Sequence, residues 1–188
     1  MRVASRAVAM AAALATAPAP TAGCGRAGPD ATIDAPPRDP PPPCAARDLE
    51  LGRCQRDDGA PCTGALDEVR RFAPLAEGGA ITVVTGPQGA WMLVFSARTA
   101  GIVAGDPGDP VDPDNPLVEL VVSRAGAEVA LYRGRVGFAA AGDQVEATGL
   151  FVITEDTSLV GQALVAHGRL TDVAGALRCG EVGFTAAR

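Results

Sequence analysis

From about residue 63 onward the chain alternates between apolar and polar residues in short runs separated by Gly, Pro and Asp. A two-residue period broken by turn residues is the signature of half-buried strands. Residues 81–85 form one such run, and Gly86-Pro87-Gln88-Gly89 follows as a turn, with Pro at its second position and Gly at its fourth. Residues 90–97 should pair back, with Trp91, Leu93 and Phe95 on one face and Met92, Val94 and Ser96 on the other. Residues 117–123 and 129–138 flank Arg124-Ala125-Gly126-Ala127, and Tyr132, Val136 and Phe138 should share a face. Residues 144–154 predict an inward set of Val145, Ala147, Gly149, Phe151 and Ile153. Residues 164–170 place Leu164, Ala166 and Leu170 inside and His167 and Arg169 outside. The last hairpin runs from Leu170 through Thr171-Asp172 and Gly175 into Val182 and Phe184, and the break in its pattern near Gly180 predicts a bulge.

Many short strands with regular turns predict an all-β fold, an antiparallel β-sandwich spanning residues 63–188. One segment resists this reading. Over residues 65–72, Leu66, Val69 and Phe72 are spaced for a short helical turn, and the alternative is a strand in which Leu66, Glu68 and Arg70 alternate with Asp67, Val69 and Arg71. The last hairpin resembles the final two strands of bacterial immunoglobulin-like domains, where a strand closes on Thr-Asp and a Gly-containing turn opens the next. A wider likeness rests on Leu49-Glu50-Leu51-Gly52, Phe72-Ala73-Pro74-Leu75, Gly79 and the Gly86-Pro87-Gln88-Gly89 turn. Over residues 48–188 these look like a group of uncharacterised exported proteins and lipoproteins. Members of that group often carry a histidine just after the turn, where this chain has Trp91 and Met92. The likeness places an insertion from Cys54 to Cys62 after the first strand, and implies no activity.

The beginning of the chain is different. Arg2 and Arg6 are the only charges before Cys24, and residues 7–15 form an apolar run. That is the length of a signal h-region, and far short of the roughly 20 residues that span a bilayer. Small residues then lead to Thr21-Ala22-Gly23-Cys24. The layout resembles a bacterial lipoprotein signal over residues 1–23, which implies cleavage before Cys24 and lipid on its thiol. An ordinary secretory signal cut near Ala22 is the alternative. With two or three acyl chains the membrane is the expected partner, since one chain alone binds only reversibly. Gly25 rather than Asp after the cysteine favours the outer membrane. Seven prolines and three aspartates fill residues 25–43, a composition that leans to extended polyproline II and makes residues 24–43 a tether.

The chain has five cysteines: Cys24, Cys44, Cys54, Cys62 and Cys179. Lipidation of Cys24 leaves four, an even set suited to disulfides in an oxidising compartment. Their spacing fits no zinc pattern, and there is one histidine. Of the possible connectivities the favoured one joins Cys54 to Cys62 and Cys44 to Cys179, making residues 44–62 a stapled neck.

Candidate chemistry is sparse. The net charge is −6 and all 16 basic residues are arginine, so nucleic acid is not an expected partner. No cofactor motif is present. His167 reads as a surface residue, and Ser96, Ser123 and Ser158 stand in no nucleophile-elbow motif. A carboxylate pair drawn from Glu119, Asp143, Glu146 and Glu155 would be needed for a hydrolase. Asp106, Asp109, Asp112 and Asp114 lie in one Pro-rich loop, read here as extended. That loop is the first candidate for contact with an envelope protein or glycan, with Asp112 and Asp114 a weak Ca²⁺ candidate. Trp91 is the single candidate for stacking on a ligand, and core packing is its plainer reading. These features lead to the expectation of a lipid-anchored envelope protein with a non-catalytic sandwich. A hydrolase and a Ca²⁺-stabilised adhesion module are the alternatives.

Overall fold

A computed structural model describes residues 48–63, 69–86 and 88–188. Within them the chain forms β1 (Glu50–Arg56), β2 (Arg70–Pro74), β3 (Gly79–Thr85), β4 (Trp91–Thr99), β5 (Leu117–Arg124), β6 (Ala127–Arg135), β7 (Ala139–Ala141), β8 (Gln144–Thr154), β9 (Ala163–Thr171) and β10 (Leu177–Ala187). A 3₁₀ turn at Thr157–Leu159 joins β8 to β9. No helix among the described residues is long and apolar enough to cross a membrane. The signal, the tether and Cys24 and Cys44 lie outside the described residues.

The strands form two layers that share β3. The first layer is built around β4, with β8 and then β7 on one side. On its other side β4 pairs with β1 through Phe95 to Arg98 and with β3 through Trp91 to Leu93. The second layer runs β3-β10-β9-β5-β6. β3 crosses between layers: Gly79 to Thr82 pair with Phe184 to Ala187 of β10, then Val83 to Thr85 pair with β4. The fold is all-β and sandwich-like, as expected. The β3–β10 pairing is parallel, so the expected purely antiparallel sheet is corrected to a mixed one. The other strand pairings among the described residues are antiparallel.

The core lies between the layers. Leu93, Phe95 and Ala97 of β4 meet Val118, Leu120 and Val122 of β5, Leu164, Ala166 and Leu170 of β9 and Val182, Phe184 and Ala186 of β10. Phe95 and Phe184 touch edge to face across the layers at 5.4 Å, a geometry favoured by the ring quadrupoles. The period-2 pattern set these inward faces correctly. Tyr132, Val136 and Phe138 also pack against this core, although the predicted strand over 129–138 ends at Arg135. There the Val136 and Phe138 N–H groups turn to the Pro116 and Ala104 carbonyls.

Two sequence readings fail for identifiable reasons. In β8 the inward set is Ala147, Leu150 and Val152, while Ile153 is 57% exposed and Phe151 faces outward. Gly149 is the cause. Phe95 pairs with Leu150 and Ser96 with Thr148, so Gly149 is an extra residue with φ of 77°. A glycine in that left-handed region makes a bulge and reverses the phase of all that follows. At Gly180, in contrast, the β9–β10 register is continuous and there is no bulge. Gly180 is required because the Leu49 backbone crosses it, and a Cβ would overlap the Leu49 carbonyl oxygen. Gly168, its cross-strand partner, leaves room for the Leu51 side chain in the same way.

Those contacts place Leu49 and Leu51 inside the core. Leu49 and β1 (Glu50–Arg56), read as part of a neck, therefore belong to the sandwich. Of the segment 65–72, whose spacing favours a helical turn over a strand, residues 70–72 are strand, since Arg70 opens β2. β2 curls over the outer face of the first layer. Phe72 lies beneath the Arg98 guanidinium at 4.0 Å, and Arg70 sits over the Phe151 ring at 5.1 Å.

Candidate functional site

The acidic loop between β4 and β5 is a folded unit rather than an extended strap. It repeats a three-residue unit, Asp106-Pro107-Gly108, Asp109-Pro110-Val111, Asp112-Pro113-Asp114, and ends at Asn115-Pro116. Each leading aspartate starts a turn with Pro in second place, the preferred order for type I turns. The carboxylates of Asp106, Asp109 and Asp112 accept the N–H two residues on, at 2.8, 3.0 and 2.9 Å. Their carbonyls accept the N–H three residues on, each at 3.2 Å. Asn115, fully buried, closes the series. Its Oδ1 accepts the Asp106 N–H at 2.9 Å, its Nδ2 donates to the Asp109 carbonyl at 2.7 Å, and its own carbonyl accepts from Arg135 at 2.6 Å. Three of the loop's four carboxylates thus cap its own backbone. Among the described residues no three His, Cys, Asp or Glu side chains converge to hold a metal.

A buried carboxylate, Asp172, fastens the same end of the sandwich. Its Oδ2 accepts the Val103 N–H and its Oδ1 the Ala176 N–H, both at 2.7 Å. Burial pushes this carboxyl up, but the N–H groups of Val103, Ala176 and Ala174 and the nearby Arg178 outweigh it and hold it below the usual carboxylate range. In the sequence Asp172 stands out only as part of the Thr-Asp pair that closes a strand.

The remaining candidates are scattered. Trp91 opens β4, about 26 Å along the strand from the end that carries the acidic loop. It is half-buried outside the main core, with Arg188 5.3 Å from its ring centroid. His167 is exposed on the outer face of the second layer, with Nδ1 3.3 Å from Glu181. Ser123 shares that face but donates to the Val165 carbonyl, while Ser96 is buried in the other layer and Ser158 bonds Asp156. Glu119 pairs with Arg133 and Glu146 with Arg98, on different layers. Asp143 precedes β8 and Glu155 follows it, at opposite ends of that strand.

Cys54 and Cys62 are bonded, as expected. Both are buried, and with Val94 they form a second small apolar cluster on the outer face of the first layer, against Val84 and Phe151. Cys179 is also disulfide-bonded. Its expected partner, Cys44, lies outside the described residues.

Beside the Cys54–Cys62 hairpin is a cleft of about 220 Å³ that sequence inspection did not find. It exists because one edge of β4 changes partner. β1 leaves β4 after Arg53, opposite Phe95, and β3 arrives at Val83, opposite Leu93. Val94 is left with no strand partner on that edge. The walls are Arg53, Gln55, Gly59 and Pro61 on one side and Ala80 to Thr82 on the other, with Val94 and Cys54 also lining it. A missing pairing has no signature in local periodicity; the insertion between the two cysteines was the one available clue.

No protein-family model matches the chain, and neither does any of the curated proteins compared with it.

Proposed function

We propose that this is an exported protein, lipid-anchored at Cys24, whose sandwich serves as a non-catalytic binding or structural module at the cell envelope. The observation that carries the reading is the signal layout ending in Thr21-Ala22-Gly23-Cys24. The bonded Cys54 and Cys62 support export, because disulfides persist in oxidising compartments. The partners of this reading are a membrane, reached through acyl chains, and an envelope protein or glycan. The outer membrane is the favoured location, from Gly25. An immunoglobulin-like relationship is part of the same proposal, supported by two packed layers and a strand shared between them.

Mass spectrometry of the mature N-terminus tests it. The expected product begins at Cys24 with a diacylglyceryl thioether, and Cys24→Ser moves the protein from the membrane to the soluble fraction. A mature chain with Cys24 free or in a disulfide overturns the anchor.

A further inference from the structure

We propose that the cleft between β1 and β3 binds a monocarboxylate with a short apolar body, its carboxylate held by Arg53. This deepens the reading of the sandwich as a binding module and rests on that part of it, not on the lipid anchor.

Among the described residues no acidic side chain lines the cleft. Arg53 is exposed at its wall and makes no ion pair among the described residues. The neighbouring arginines are engaged: Arg56 with Asp58, and Arg71 with Asp57. A guanidinium presents a planar fork that matches a carboxylate in two parallel hydrogen bonds. The rest of the lining is apolar or weakly polar. Ile81 and Val94 are buried side chains, Pro61 adds an apolar wall, and the Gln55 Nε2 is already taken up by the Gly59 carbonyl at 2.9 Å. One cation beside the Ile81, Val94 and Pro61 side chains suits a ligand with one negative end and a short hydrocarbon remainder. Size sets the second limit: the cleft is small, about 220 Å³. A short acyl chain or a single apolar side chain fits this space, and a lipid tail or a folded partner does not.

The disulfide is what keeps the site open. It pins residues 54–62 back on β1, with the Cys62 N–H bonded to the Cys54 carbonyl at 3.3 Å. The hairpin therefore forms a wall instead of filling the gap beside Val94.

The test uses the full chain carrying Cys24→Ser, labelled with ¹⁵N, so that the protein is studied without lipid or detergent. Hexanoate and N-acetyl-leucine are titrated as probes, with hexanamide as the uncharged control. We expect saturable shifts at the amides of Arg53, Gln55, Gly59, Thr82 and Val94, with a Kd on the order of 1 mM. Hexanamide and the Arg53→Gln variant should each bind about tenfold or more weakly, the loss typical of a charge-assisted contact. Arg53→Lys should retain part of the affinity, and Arg169→Gln, on the other layer, all of it. Binding of hexanoate alone assigns a free acyl acid, and binding of both probes admits a peptide C-terminus. Equal binding of hexanoate and hexanamide, an unchanged affinity in Arg53→Gln, or shifts away from these amides overturns the inference. If the cleft fails while Arg169→Gln and wild type alike still capture one envelope component, the module survives and only the ligand assignment falls.

Discussion

Two excursions leave the sandwich, and they are closed by different means. The loop from Asp106 to Pro116 is closed by its side chains: three aspartates cap successive turns and a buried asparagine ties the ends together. The hairpin from Cys54 to Cys62 is closed by a covalent bond. The first looks richer in chemistry and offers less, because the groups that would meet a ligand already accept backbone N–H bonds. The second has fewer conspicuous residues, but the disulfide shapes it without engaging Arg53. Polar residues in a loop are evidence of a site only to the extent that the loop does not need them itself.

The sharpest way to break this contrast is to remove the covalent closure. A Cys54→Ala/Cys62→Ala double variant should lose about 3 kcal/mol. Chain entropy for so short a closed segment contributes about 2.5 kcal/mol, and loosened packing around Val94 adds to it. Urea unfolding measures this, and the same variant should also lose hexanoate binding as the wall collapses. A loss below about 1 kcal/mol would mean that the hydrogen bonds of the hairpin suffice to hold it.

Removing the non-covalent closure should cost somewhat less. Asn115→Ala leaves the Asp106 N–H without its partner, removes one of the two hydrogen bonds that the Asp109 carbonyl accepts, and empties a fully buried side-chain position, for an expected loss of about 2 kcal/mol. Hydrogen exchange at Asp106, Asp109 and Asp112 should quicken together, with cleft binding unchanged. If exchange quickens at Asp106 alone, the three turns are independent and Asn115 is not their common clasp.

The same contrast explains what was legible in the chain. Local signals read well: the alternation in β4, β5 and β9, the bonded pair Cys54 and Cys62, and the turn at Ala125-Gly126, where φ angles of 50° and 83° suit a tight two-residue hairpin. The repeated Asp-Pro unit was equally local, and its turn preference was visible, but the prolines were read as enforcing extension. Other features had distant causes. Gly180 breaks the pattern of β10 because Leu49, far earlier in the chain, passes over it. Phe72 looked helical in spacing, yet its partners are Gly52 and Arg98 on neighbouring strands. In β8 a single glycine at positive φ shifted the register, and an alternation count cannot distinguish such a residue from an ordinary strand glycine. The cleft was least legible of all, since it is made by a pairing that does not form.

The smallest effect concerns how the acidic end is fastened to the sandwich. Asp172 joins Val103, near the start of the β4–β5 connection, to Ala176 in the β9–β10 turn. Its carboxyl sits below the ordinary value of 3.8, because the N–H bonds it accepts outweigh its burial. The unfolded chain therefore binds this proton more readily than the folded one. The stability that the ionised group lends is complete above its unfolded value, and is lost as pH falls through its lower folded value. Asp172→Asn should cost about 1 kcal/mol at neutral pH, the difference between charged and neutral acceptors. The gap between wild type and variant should hold steady from pH 7 down to about 5 and narrow below about 4. Thermal melts of both proteins across that range decide it. A gap that stays constant into strong acid would mean that Asp172 acts by shape alone, and the charge would then play no part in holding the loop end to the sandwich.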